Sequence, residues 1–221
     1  MGKSFSEIVK LEGSHVNSSF GILFVLFGVL TQVLAYKFSG GSELSLLSGC
    51  LGIISVVLCS QRKISFYIFW LGQIITYVIL CFHEKLYGEI AENAFYFVTM
   101  LFGLFHWLRH YNEEEIAVET RKMTRIQNIW VFIATVFTSL MLYTALLNTN
   151  DSQPFMDAVT TAPAFIAQIL LICRFKESWI YWFIIDFIAI FMWVIAGDWC
   201  MVSLHVFWTI SCIYGYYKWT N

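Results

Sequence analysis

Long apolar runs separated by short polar breaks dominate the chain, and their lengths are those of helices that cross a bilayer. A spanning helix needs about 20 apolar residues. Eight such runs are present, at about 19–37, 44–60, 64–82, 87–107, 128–147, 155–173, 178–196 and 199–217. The runs are continuous instead of alternating, which predicts helices and argues against a β-barrel. Breaks as short as Gln61-Arg62-Lys63 predict tight turns between antiparallel neighbours. One break is long: 108–127 carries Glu113-Glu114-Glu115 and the basic group Arg121, Lys122 and Arg125, and it divides the chain into two sets of four helices. The predicted class is an all-α integral membrane protein with eight transmembrane helices, built as a single polytopic membrane domain over 1–221.

Composition agrees. The chain is 59% hydrophobic and 13% charged, whereas a soluble domain averages about 25% charged. It lacks the charge to clothe a globule in polar surface, so its partner is the lipid bilayer. A net charge of −2 offers no basic face for nucleic acid. All six cysteines fall in apolar stretches and none forms a CxxC, so they read as small packing residues.

Basic residues orient the spans. Lys3, Lys10, Arg62, Lys63, Arg109, Arg121, Lys122, Arg125, Arg174, Lys176 and Lys218 fall on one side, and only Lys37 and Lys85 on the other. Both termini are thereby expected in the cytoplasm. A seven-span count would scramble that sorting. The polar lead before the first run, with no small-residue cleavage site after it, does not read as a signal peptide. The Met1-Gly2…Ser6 acylation pattern and the Asn150-Asp151-Ser152 sequon decide nothing.

The two halves resemble each other at an offset of 112 residues. Arg62 falls on Arg174, Trp70 on Trp182, Phe95 on Phe207, Gly103 on Gly215 and Trp107 on Trp219, with aromatic on aromatic at Tyr67/Trp179 and Tyr96/Trp208. A shift of four helices preserves direction across the membrane, so the repeats are expected to be parallel. The matches cover three helices per half: 44–107 forms a first three-helix repeat and 155–219 a second. The segment 108–147 supplies a cytoplasmic loop and a linker helix, and 19–37 is an extra N-terminal helix on a 3+1+3 core.

Polar groups inside a span are expensive, and each is a candidate for function. Asp186 lies about 12 Å into its helix. Trp182 and Trp179 precede it by four and seven residues, so the three share one face. An acid beside indoles suits a planar, cationic ligand. Trp70 and Gln73 stand at similar depth in the first half. Asn93 and His205 occupy the same repeat position, six residues in from the outer helix ends. Glu92, Thr160, Thr161 and Gln168 are further candidates. Proton coupling through Asp186 would need a second titrating group, and Glu92 lies well away in depth. His106 and His110, at i and i+4, sit where an interfacial belt is expected, and no hydrolase or NTPase motif appears in the spans, so neither an enzyme nor a cofactor is expected.

The run Trp179–Asp186 has the form WxxWxxxD, Tyr214-Gly215 with Trp219 ends the chain, and Asn93–Trp107 (NAFYFVTMLFGLFHW) gives the earlier polar, aromatic and Gly–aromatic sequence. Together these resemble the Pnu family of bacterial vitamin transporters, most closely the PnuC group that carries nicotinamide riboside, across essentially the whole chain. The resemblance implies a SWEET-like 3+1+3 core in the bacterial inner membrane. It also implies facilitated diffusion, with uptake driven by a cytoplasmic nicotinamide riboside kinase. A homo-oligomer, a trimer, is open to it. Carried over, Trp179, Trp182 and Asp186 become substrate-site candidates, with Trp70, Gln73 and Asn93 in the first half and His205 in the second. The ribose hydroxyls would suit Gln73, Asn93 and Thr160. Thiamine, another cationic aromatic vitamin carried within the family, is the alternative substrate; a haem or quinone enzyme is a weaker one.

Overall fold

Each apolar run forms a helix. Inside a bilayer every backbone N–H and C=O must find its partner within the chain, and a continuous apolar run meets that demand only as a helix. The computed structural model describes residues 3–14, 19–39, 42–84, 87–148, 154–196 and 199–221. Within them run eight long helices: α2 (Ser19–Ser39), α3 (Glu43–Ser60), α4 (Phe66–Glu84), α5 (Tyr87–Leu108), α6 (Arg125–Leu146), α7 (Pro154–Ile172), α8 (Ser178–Ala196) and α9 (Trp199–Thr220). At 18 to 22 residues each they are about 27–33 Å long, the thickness of a hydrocarbon core.

Phe20–Phe38, Glu43–Ser60, Arg125–Leu146 and Pro154–Ile172 are long and apolar enough to span on composition alone. Apolar stretches of α4 and α8 are shorter, Phe66–Leu80 and Ser178–Met192. Polar residues interrupt α5 at Glu92 and Asn93 and α9 at His205, and the fold turns these residues inward. The lead before the first run, expected to be merely polar, forms a ninth helix, α1 (Phe5–Ser14). It buries Ile8 and Glu12. The Glu12 carboxylate accepts the backbone N–H of Ile64 at 2.8 Å and of Ser65 at 2.9 Å, donors left open where α4 begins.

Helices α3, α4 and α5 pack in succession, as do α7, α8 and α9. The two sets meet where α5 touches α7 and α3 touches α9, α2 leans on α3 and α9, and α6 leans on α7. Helix α6 turns Ile126, Trp130, Phe132 and Phe137 outward, each more than half exposed. So large an apolar face belongs against lipid.

The long connection is not a free loop. Strands β1 (Tyr111–Asn112) and β2 (Ala117–Val118) form a small hairpin, with Tyr111 opposite Val118 and Asn112 opposite Ala117. The Asn112 side chain accepts the N–H of Glu114 and of Glu115, which turns the chain. Beyond the hairpin the segment lies across the α3–α4 and α7–α8 turns: Val118 N–H donates to Arg62 O at 2.9 Å and Arg121 N–H to Arg174 O at 2.7 Å.

Those two turns are built alike. Helix α3 ends with N–H bonds from Gln61 to Val57, Arg62 to Cys59 and Lys63 to Leu58; α7 ends with Cys173 to Ile169, Arg174 to Leu171 and Phe175 to Leu170. Arg62 and Arg174 both take a left-handed backbone, φ 62° and 66°, as the residue after a helix commonly does. Each pair is related by the sequence offset.

Lys3 pairs with Glu113 at 2.9 Å, Thr120 Oγ1 donates to Trp219 O, and Lys176 Nζ donates to Thr220 Oγ1. The N-terminal helix, the hairpin segment, the two turns and the C-terminus therefore share one end, which we call the basic end. Lys37 lies in the last turn of α2, at the other end. Lys85, the Asn150-Asp151-Ser152 sequon, Met1-Gly2 and the side chains of Cys81, His83, Glu89 and Cys200 lie outside the described residues.

Candidate functional site

The helices enclose a cavity of about 720 Å³, of a size to hold a small ligand. All eight substrate-site candidates line it: Trp70 and Gln73 from α4, Asn93 from α5, Thr160 from α7, Trp179, Trp182 and Asp186 from α8, and His205 from α9. Their spacing explains the convergence. Residues 179, 182 and 186 lie three and four apart and share a helix face, and the offset places their counterparts on the facing helices.

Rings form one wall. Trp182 meets Tyr96 at 6.3 Å edge-on, Tyr96 meets Trp70 at 6.5 Å, and Trp70 stacks on Phe66 at 5.6 Å. Trp179 is 2% exposed and packs edge-to-face on Trp219 at 5.5 Å. It sits at the floor. A methyl group on Gly215 would come within 2.5 Å of its ring, so only glycine admits the indole there. Gly103, at the matching position of α5, gives the same room to Tyr67 Oη at 2.7 Å.

The acid shares the helix face of Trp179 and Trp182. Asp186 is 4% exposed, with Oδ1 3.0 Å from His205 Nδ1. The Cys212 thiol donates to Oδ2 at 3.7 Å. Trp208 presents its ring to the imidazole at 5.2 Å and 85°. The partnership of Asp186 and His205 was not foreseen, because the sequence reading paired His205 with Asn93 by repeat position. Nineteen residues separate the two, and no local spacing encodes a contact between neighbouring helices. Asn93 is buried on the facing wall, so the offset supplies matching positions with unlike side chains.

Thr160 donates its hydroxyl to the backbone carbonyls of Met156 and Asp157; its lone pairs remain to accept. Gln168 is fully buried and donates to Thr99 Oγ1 at 3.2 Å. Gln168 Oε1, Trp179 Nε1 and Trp208 Nε1 have no protein partner, and all three side chains line the cavity. Such buried groups require a partner.

The sequence reading missed several lining residues. Helix 19–37 was expected to be an accessory, yet its Gln32 is 2% exposed, reaches the cavity wall and donates to Ser203 Oγ at 3.3 Å. A lone amide in an apolar helix was the available signal. Ser48, Tyr77, Asp157 and Cys212 also line the wall. Glu92, a candidate from the sequence, lines it as well and accepts from Tyr96 Oη. Among the described lining residues there are three carboxylates, Glu92, Asp157 and Asp186, one imidazole, and no lysine or arginine. His106 and His110 pack on each other at the basic end, rings 4.6 Å apart, away from the cavity. Among the described residues no group of three His, Cys, Asp or Glu could hold a metal.

The chain matches the family profile described as "Nicotinamide mononucleotide transporter" over residues 42–221. It is 28% identical over 213 residues to the nicotinamide riboside transporter PnuC of Neisseria mucosa, covering 91% of this chain and 81% of that protein. It is 28% identical over 205 residues to the transporter of the same name in Haemophilus influenzae, covering 91% and 90%, and 24% identical over 211 residues to that of Escherichia coli, covering 83% and 88%. A crystal structure of the vitamin B3 transporter PnuC superposes with a TM-score of 0.83 at 26% identity, covering 99% of this chain and 97% of that one. These relatives are transporters, and the chain is an all-α, multi-pass membrane protein like them.

Proposed function

The chain belongs to the family described as nicotinamide mononucleotide transporters, and from that membership and the cavity's chemistry we propose that it carries nicotinamide riboside across the bacterial inner membrane. The observation that carries this reading is the cavity wall: Trp70, Trp179, Trp182 and Trp208 with three carboxylates and no lysine or arginine among the described lining residues. The nicotinamide ring of the riboside is planar and positively charged. Indole faces attract such a ring and a carboxylate neutralises it. The amide and hydroxyl groups of the ligand supply the partners that Gln168 Oε1 and the two indole N–H groups lack. The substrate-site residues are Trp182, Asp186, Trp70, Gln73, Asn93, His205 and Thr160 on the walls, with Trp179 as the floor.

The same wall chooses between two related molecules. A mononucleotide adds a phosphate carrying about −1.5 to −2 charges, which wants Arg or Lys partners. An acidic cavity repels it, so the riboside is the cargo. Phosphorylation by a cytoplasmic kinase would for the same reason trap the vitamin after facilitated diffusion.

The architecture in this reading is two parallel three-helix repeats, α3–α5 and α7–α9, joined through α6, with α2 as the extra helix. Its support is the matched turns at Arg62 and Arg174 and the matched glycines at 103 and 215. The basic end would face the cytoplasm by the positive-inside rule.

Calorimetric titration of the purified protein in detergent tests the assignment. The riboside is expected to bind and the mononucleotide to bind at least about tenfold more weakly, one charge pair in a partly screened site being worth more than 1.4 kcal/mol. Equal affinity for the two would overturn the charge argument. Binding of thiamine alone would move the chain to another vitamin.

A further inference from the structure

Asp186 is not alone at its depth. His205 reaches it from α9 at 3.0 Å, with both side chains mostly buried, at 6% and 12% exposure, on the wall of the cavity. The acid and the base touch each other and the space the ligand would fill. We propose that Asp186 and His205 form one proton-exchanging unit, so that a proton and the positively charged ring of the substrate exclude each other from the cavity. The proposal rests on the reading of the substrate as a cation given above.

The argument is one of charge. With a neutral imidazole donating Nδ1–H to the carboxylate, the unit carries −1. Taking up one proton turns it into an imidazolium–carboxylate pair, or a neutral acid beside a neutral imidazole, with net charge zero either way. A cation held against the unit gains full attraction in the first state and only a dipole's in the second, and low polarity around the site magnifies the difference. Binding of the substrate therefore expels the proton to solvent, and the proton weakens binding by the same factor.

Few charged groups are described around the unit. From α9 it meets the Cys212 thiol, which is neutral as a donor. Among the described lining residues the other titratable groups are Asp157 of α7, Glu92 and Tyr96 of α5, Tyr77 of α4 and Cys59 of α3. Asp157 and Glu92 sit near the opposite helix ends from the basic end. Among the described lining residues no lysine or arginine faces the unit to hold its charge fixed.

The test is calorimetry of the purified protein with nicotinamide riboside between about pH 8 and pH 5.5, in phosphate and in Tris, whose ionisation heats differ. The expected result is a Kd that rises as pH falls, by up to about tenfold per pH unit. The heat should differ between buffers in proportion to one proton released. Asp186→Asn should bind more weakly at pH 8, lose the pH dependence and show no buffer difference. Should that variant not be extractable, His205→Gln should likewise flatten the Kd against pH and remove the buffer difference. A wild-type Kd constant across the range, with equal heat in both buffers, overturns the proposal and leaves the substrate reading standing. Proton release that persists in both variants also overturns it, and assigns the exchange to Glu92 or Asp157. An absence of riboside binding at every pH removes the substrate reading and this proposal with it.

Discussion

A single side chain shows how the cavity combines two demands. In its proposed role Trp182 must pack within a helix bundle and also present a face to the ligand. It does so by meeting Tyr96 edge-on at 6.3 Å, leaving it half-buried on the wall. Replacing it with alanine removes a cation–π and stacking surface worth about 1–2 kcal/mol, so Trp182→Ala should raise the Kd for the riboside by roughly tenfold or more. Trp182→Phe keeps a ring and should recover much of that loss. Calorimetry on both variants, with a thermal melt to confirm folding, checks this; wild-type affinity in the alanine variant would remove Trp182 from the site. Trp182 and Asp186 were legible in the sequence because a polar or amphipathic residue deep in a span has few reasons to be there. Gln32 was equally anomalous by that criterion, but its helix lay outside the repeat and drew no attention. Cys212 carried no signal at all: its link to Asp186 exists only once α8 and α9 are packed.

Elements were easier to read than their junctions. Continuous apolar runs set the helices to within a few residues, because length and hydrophobicity suffice in a bilayer. The short helix α1 was missed for a physical reason. Its apolar residues, Phe5, Ile8 and Leu11, are spaced for a helix, but a stretch of 10 residues is marginal without tertiary contacts. Those contacts come from Glu12, whose carboxylate holds two backbone N–H groups at the start of α4. The hairpin is likewise stabilised by docking, through Val118 and Arg121, onto turns far away in sequence. Hydrogen bonds to a charged group contribute about 1.5–3 kcal/mol each, and stranding the donors costs more. Glu12→Ala should therefore lower thermal stability by several degrees, whereas Glu12→Gln, which keeps one acceptor, should lose less. Melting curves in detergent decide it, and unchanged midpoints would mean that α1 is a passive appendage.

At the scale of the whole molecule the two halves hold each other at the basic end. Trp107 Nε1 of α5 donates to Leu171 O of α7 at 3.3 Å, and Trp219 Nε1 of α9 donates to Cys59 O of α3 at 3.1 Å. The offset that relates the two donors also relates the two acceptors, so each half closes on the other by the same bond, and the indoles meet at 5.6 Å between them. Both Trp side chains are at most 3% exposed, while Cys59 and Leu171 line the cavity just beyond. If the proposed transport opens the cavity at the basic end, these four residues are the contact that would part. Each exchanged bond adds about 1 kcal/mol to the closed arrangement. Trp107→Phe and Trp219→Phe, which keep a ring but lose the donor, should each shift the balance toward opening by a few-fold, and by similar amounts. Cys59 is a built-in reporter. In membrane vesicles exposing the face with the chain termini, its modification by an impermeant thiol reagent, followed by mass spectrometry, should be several-fold faster in either variant than in the wild type. A rate change in only one variant would mean that the two halves do not share the closure, and no change in either would place the closing contact elsewhere in the bundle.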